Sequence, residues 1–183
     1  MTALDRQVIC VDIETAGLQF GASVLEVAAV NLETGKYLSF VPHLAELKGM
    51  EFQALQINRY FERGAWKDML TAEETEEAYA DLREMLRGNT FAGANPSFDS
   101  LRLPIEGVWH HRLLDLQAYA MGVLNLPLHE MPSFAKVCEL LEVENSDPHS
   151  ALGDALATAE CFRRLKWQQR KAAIKVIEGQ VDD

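Results

Sequence analysis

Cysteine is scarce, with three residues in 183, and Cys10, Cys138 and Cys161 form neither a C-x-x-C pair nor a zinc-like spacing. A disulfide scaffold is therefore excluded, and all three are expected to be reduced core residues. Long apolar runs are also missing, and the opening MTALDRQ lacks the basic-then-apolar layout of a signal peptide. A soluble, cytoplasmic chain with no membrane segment is the expectation. There is no internal repeat, no low-complexity stretch and no Pro/Ser/Gly-rich linker, so residues 1–183 are read as one domain. Basic residues are few as well, 17 Lys and Arg against 28 Asp and Glu, for a net charge of −11. That excludes a long basic groove for nucleic acid. It leaves room for a site that meets phosphate through bound cations, because such ions reverse the sign of an acidic pocket. The cluster Glu73, Glu74, Glu76, Glu77 and Asp81 reads as solvated surface.

What is present predicts an α/β fold. QVICVD at 7–12 is a short apolar run rich in branched residues, ended by Gly17, and suits a central strand buried on both faces. Residues 23–31 and 36–41 are two further strands, joined by the turn LETG at 32–35 as an antiparallel hairpin. A less regular stretch from Pro42 to Leu70 follows. Thr71 and Glu74 make a capping box that opens a helix with apolar Ala78, Tyr79, Leu82, Met85 and Leu86, ended by Gly88. TFAG at 90–93 is a fourth strand. Asn95-Pro96 starts a helix with Asn as N-cap and Pro at N1, which Pro104 interrupts. HRLL at 111–114 is a short fifth strand, Asp115 and Ser133 cap the next two helices, and the last helix runs from near Ser150 past Lys171. A meander followed by alternating strands and helices gives a mixed five-stranded sheet flanked by helices, with its chemistry at the strand ends.

Three places carry acids that packing does not require. Alternate strand residues share a face, so Asp12 and Glu14 project together at the end of the central strand while Ile13 points away. Two carboxylates there call for a neutralising partner, and a hard divalent cation is one. Asp99 lies just after the fourth strand, beside Phe98, in the first turns of a helix. His149 and Asp154 are five apart, a spacing that does not stack on one helical face. His149 is therefore expected on the loop before the last helix, with Ser150 as N-cap, and Asp154 within its first turns.

In combination and in this order, the motifs resemble the DEDDh 3′→5′ exonuclease family of the ribonuclease H-like superfamily. DIETAGL at 12–18 resembles the first family motif, ANPSFD at 94–99 the second and HSALGDA at 149–155 the third, with LEVAAV at 25–30 and LLDL at 113–116 in further agreement. His149, with Ser150 where the related subtype has Tyr, points to the histidine subtype. The resemblance implies that Asp12, Glu14, Asp99 and Asp154 hold two divalent ions, Mg2+ or Mn2+, and that His149 is the general base. It also implies that Thr15, Leu18 and Phe98 line the pocket of the terminal base. The substrate would be the 3′ end of single-stranded DNA or RNA, and the product a nucleoside 5′-monophosphate. A DNA polymerase as partner, the oligomeric state, and DNA against RNA stay open. Two departures are visible. Ala16 replaces the usual Thr, and ALQINRYFERG at 54–64 replaces the His-Gly stretch of many polymerase-associated relatives. A basic segment, Arg163–Lys175, is read as dipole compensation at a helix end or as a contact to substrate or partner.

Overall fold

The computed structural model describes residues 6–105 and 107–178. Its five strands are β1 (Val8–Thr15), β2 (Val24–Asn31), β3 (Tyr37–Phe40), β4 (Thr90–Gly93) and β5 (Leu114–Asp115), arranged in the order β3-β2-β1-β4-β5. β1 pairs antiparallel with β2 and parallel with β4; β2–β3 is antiparallel and β4–β5 parallel. This is the mixed sheet expected from the sequence, with β1 at its centre.

The alternation along the strands sorts side chains onto two faces. Ile9, Val11 and Ile13 join Val27, Ala29 and Phe91 in a core with Tyr79, Leu82 and Leu86, the buried stripe of helix α3 (Ala72–Leu86). Cys10, Ala28, Val30 and Ala92 face the other way. They pack on α5 (Leu116–Val123), α6 (Phe134–Leu140) and the long α7 (Ala151–Glu178). On that second face α7 lies close because it presents Ala151, Ala155 and Ala159. Asp12 and Glu14 follow Cys10 in the same alternation, so they point towards the start of α7.

Most local signals act as read. Both halves of the Thr71–Glu74 capping box form, and Asp115 and Ser133 accept from the N–H groups of Ala118 and Lys136. The Ser150 hydroxyl accepts from the N–H of Gly153 at 3.1 Å and so caps α7. All three cysteines are buried thiols.

Four readings need correction. β1 continues past Asp12 to Thr15, because the ladder with β2 carries on through Glu14 before a register shift. The fifth strand is Leu114–Asp115 rather than 111–114, since pairing with Ala92 and Gly93 decides its place. Asn95 precedes α4 (Pro96–Ser100) with φ of 62° and no side-chain cap; its Oδ1 accepts from the Ser97 hydroxyl instead. The less regular stretch 42–70 holds helical pieces that the reading did not assign: α1 (Phe52–Asn58), α2 (Tyr60–Arg63) and a 3-10 turn at Ala65–Asp68. These pieces are too short to show a helical period. Left-handed residues at Arg59 and Gly64 end α1 and α2.

The MTALD of the opening segment and the side chain of Lys175 lie outside the described residues. Among the described residues, no helix is long and apolar enough to cross a membrane.

Candidate active site

The acids separated in sequence meet where β1 ends against α7. A carboxylate oxygen of Glu14, one of Asp154 and a ring nitrogen of His149 lie within 4.8 Å of one another. Asp154 occupies the first turn of α7 and heads its buried stripe, followed by Thr158, Cys161 and Leu165. His149 stands exposed on the preceding loop with φ of 61°, as the five-residue spacing predicts. Asp99, only 3% exposed, reaches back from α4, and its Oδ1 accepts from the N–H of Ile13 at 3.0 Å. One of its oxygens is thereby fixed against β1, next to Asp12.

The electrostatics of this cluster are those of acids crowded without enough cations. Asp12 is held well above the ordinary carboxylate range by burial first, then by Asp99, Asp154, Glu14 and Glu26. Burial, with Asp154 and Glu26, pushes Glu14 up to about 8, while Arg63 pulls the other way. Asp99 rises to about 7 through burial, restrained by the Ile13 N–H. Asp154 is raised by burial and restrained by Asn145 and the His149 N–H. Glu14 and Asp154 meet beside His149, while Asp12 and Asp99 lie outside that 4.8 Å group but near enough for Asp12 to be raised by the other three; together the four carboxyls are a donor set of the kind that fits hard divalent cations bound through oxygen.

Several residues that the motifs did not single out complete the site. Asn145 Nδ2 donates to Asp154 Oδ1 at 2.5 Å, and the His149 N–H donates to the same oxygen at 3.3 Å. Both donors therefore act on one oxygen of Asp154. Glu26 lies directly opposite Glu14 across the β1–β2 ladder and pairs with Arg63 of α2. Buried Asn58 donates to the Thr15 carbonyl at 3.1 Å. Arg63 and Asn58 both come from 54–64, outside the three motifs. Only contacts across the fold identify these residues.

Beside the acids is a cleft of about 160 Å³, lined by Glu14, Thr15, Leu18, Ile57, Asn58 and Phe98. Leu18 is 67% exposed and stands at its edge. The Thr15 hydroxyl donates to the Gly17 carbonyl at 2.8 Å and so serves the turn. Gly17 is required there, because a Cβ would collide with the Gly49 carbonyl. Arg102 ties the two walls together. Its guanidinium lies 3.6 Å from the Phe98 ring centroid and 4.9 Å from that of Phe20, and it donates to the carbonyls of Leu18 and Phe98. A second, mostly apolar cleft of about 460 Å³ reaches His149 and Asp154 from α6.

The basic segment divides in two. Arg163 donates to the Leu32 carbonyl, and Arg164 to those of Leu141 and Glu142, so both brace α7 against the rest of the fold. Lys166, Arg170 and Lys171 are exposed, with Lys171 Nζ 5.2 Å from the Trp167 ring centroid.

A family model described as exonuclease (RNase T) matches residues 9–162. Among solved structures, the nuclease domain of 3′hExo, a DEDDh family member bound to rAMP, has a TM-score of 0.64 at 10% identity, covering 91% of this chain and 94% of that one. Exonuclease I of E. coli, in a zinc-bound complex with single-stranded DNA, has a TM-score of 0.69 at 18% identity over 91% of this chain and 42% of its own. Cell-death related nuclease 4 has 0.61 at 13%, over 87% and 63%. The chain thus spans less than two thirds of two of these three proteins. At such identities the likeness shows the fold, which is ribonuclease H-like. No curated protein matches the chain in sequence.

Proposed function

The chain belongs to the RNase T exonuclease family, and on that premise we propose that it is a divalent-metal-dependent 3′→5′ exonuclease. It would release nucleoside 5′-monophosphates from the 3′ ends of single-stranded DNA or RNA. The observation that carries this reading is the meeting of Glu14, Asp154 and His149 within 4.8 Å, with Asp12 and Asp99 electrostatically coupled to the same cluster.

Asp12, Glu14, Asp99 and Asp154 would hold two Mg2+ or Mn2+ ions, which supply positive charge at the attacking and leaving oxygens of an in-line displacement. The chain's own groups do the rest. The ladder with β2 runs through Asp12 and Glu14 and gives them a rigid direction, and on the other side, where the ladder with β4 stops at Cys10, Asp99 is anchored to the strand through Ile13. His149 accepts the proton of the attacking water at a ring nitrogen and, being exposed, passes it to solvent. The water oxygen bonds to phosphorus, the bond from phosphorus to the 3′ oxygen breaks, and that oxygen takes a proton from solvent. Leu18 would wedge against the terminal base, with Phe98 and Thr15 lining its pocket.

The test is digestion of 5′-labelled single-stranded DNA and RNA oligonucleotides with Mg2+ or Mn2+, with an EDTA control. A ladder shortening from the 3′ end is expected. Asp12→Ala and Asp154→Asn should abolish it and weaken Mn2+ binding in calorimetry, whereas His149→Ala should slow turnover and leave Mn2+ binding intact. Cleavage that persists in EDTA or in Asp12→Ala would refute the metal-dependent reading.

A further inference from the structure

We propose that Arg63 is the positioning residue for His149, acting on its main chain with Glu26 as anchor; the inference rests on the reading of His149 as general base. His149 has φ of 61°, a backbone region disfavoured for any residue with a Cβ. Such a conformation persists only when its surroundings determine it. Here both backbone polar groups of His149 are held. Its N–H donates to Asp154 Oδ1 at 3.3 Å, and its carbonyl accepts from Arg63 Nη2 at 3.2 Å. Among the described residues no hydrogen bond reaches the imidazole, so the ring's place is set through the main chain.

Arg63 can do this because the rest of its guanidinium is committed. Nε donates to the Asn58 carbonyl at 2.8 Å, and Nη1 and Nη2 both engage the Glu26 carboxylate, Nη1 at 3.4 Å. The pair is largely buried, with 18% and 11% side-chain exposure. Asn58 in turn donates to the Thr15 carbonyl, and Glu26 sits opposite Glu14 in the sheet. A continuous set of contacts therefore runs from the end of β1, which carries Asp12 and Glu14, to the carbonyl of the residue that takes the proton. Lysine cannot reproduce it, because one ammonium is a point charge whereas the guanidinium fork spans three acceptors in fixed directions. It would keep the positive charge near Glu14, so Arg63→Lys separates geometry from charge.

The experiment is a double-mutant cycle on the full chain, with a 5′-labelled single-stranded oligonucleotide and Mn2+. Arg63→Lys should lower kcat by about ten- to hundredfold, the scale of a small misplacement of a reacting group, with KM and Mn2+ affinity little changed and Tm lowered by the lost buried hydrogen bonds. In the His149→Ala background the same substitution should change kcat by less than about twofold, because the two residues act as one unit. An equal loss in both backgrounds would show that Arg63 acts independently of His149 and would overturn the inference. Should Arg63→Lys fail to fold, Glu26→Gln removes the charge that anchors the guanidinium, and its kcat loss must likewise vanish without His149. Wild-type turnover by His149→Ala alone would overturn the general-base reading, and the inference with it; the single variant reports that outcome separately.

Discussion

A carboxylate at the buried end of a strand persists only where its charge is answered. At this site protein donors hold one oxygen of Asp99 and one of Asp154, and in the proposed function the remaining oxygens are left to cations. Asp99 takes the Ile13 N–H, and Asp154 takes the amide of Asn145 together with the His149 N–H. Donors behind a metal-ligating carboxylate orient it, and their loss typically costs about 10- to 100-fold in metal affinity. Asn145→Ala is therefore expected to weaken Mn2+ binding at least about tenfold in calorimetry, while circular dichroism stays that of the wild type. Unchanged Mn2+ affinity would mean that Asp154 is aimed by α7 alone. The sequence gives no hint of Asn145. It lies nine residues before Asp154 in the stretch ENSDP, where Asn and Asp read as ordinary loop residues.

Short elements and turns carry more of the site than long helices do. α4 has five residues, yet it supplies both Phe98 and Asp99, and Arg102 just beyond it bonds to the Leu18 carbonyl on the loop after β1. The guanidinium packed on Phe98 thus couples the two walls of the cleft beside the acids. Cation–π contacts of this kind are worth about 1 kcal/mol, so Arg102→Ala should raise KM for an oligonucleotide roughly fivefold and leave kcat nearly unchanged. A fall in kcat with constant KM would instead tie Arg102 to the reacting centre through Asp99. At the start of α7, Gly153 has a comparable role: a Cβ there would run into the Asp147 carbonyl, so glycine lets the His149 loop fold onto the helix. The motif HSALGDA made His149 and Asp154 readable. The reason for its glycine is a backbone approach that no spacing reveals.

Over the whole molecule, crowded acids link folding to protons and metal. Carboxyls whose pKa rises on folding bind more protons in the folded chain than in the unfolded one. Their contribution to stability is complete below the ordinary carboxylate range and is lost as pH climbs through about 7 for Asp99 and about 8 for Glu14. In EDTA, Tm should therefore fall as pH rises across that interval. Added Mn2+ should raise Tm most at its upper end, because the ion binds the deprotonated carboxylates of the folded state. A metal-free Tm that climbs with pH over the same interval would contradict this account. The sequence by itself determined whatever depends on neighbours along the chain: β2 and β4 nearly to the residue, four helix caps, the shared face of Asp12 and Glu14, and a loop His149 before a helical Asp154. Tertiary structure alone decided the place of β5, the helices within 42–70, and the service of Arg63, Asn58, Asn145 and Arg102 to the site. The physical reason is range. Period, cap and turn chemistry act within a few residues, whereas a hydrogen bond between residues 63 and 149 forms only after the sheet and α7 have brought distant segments together.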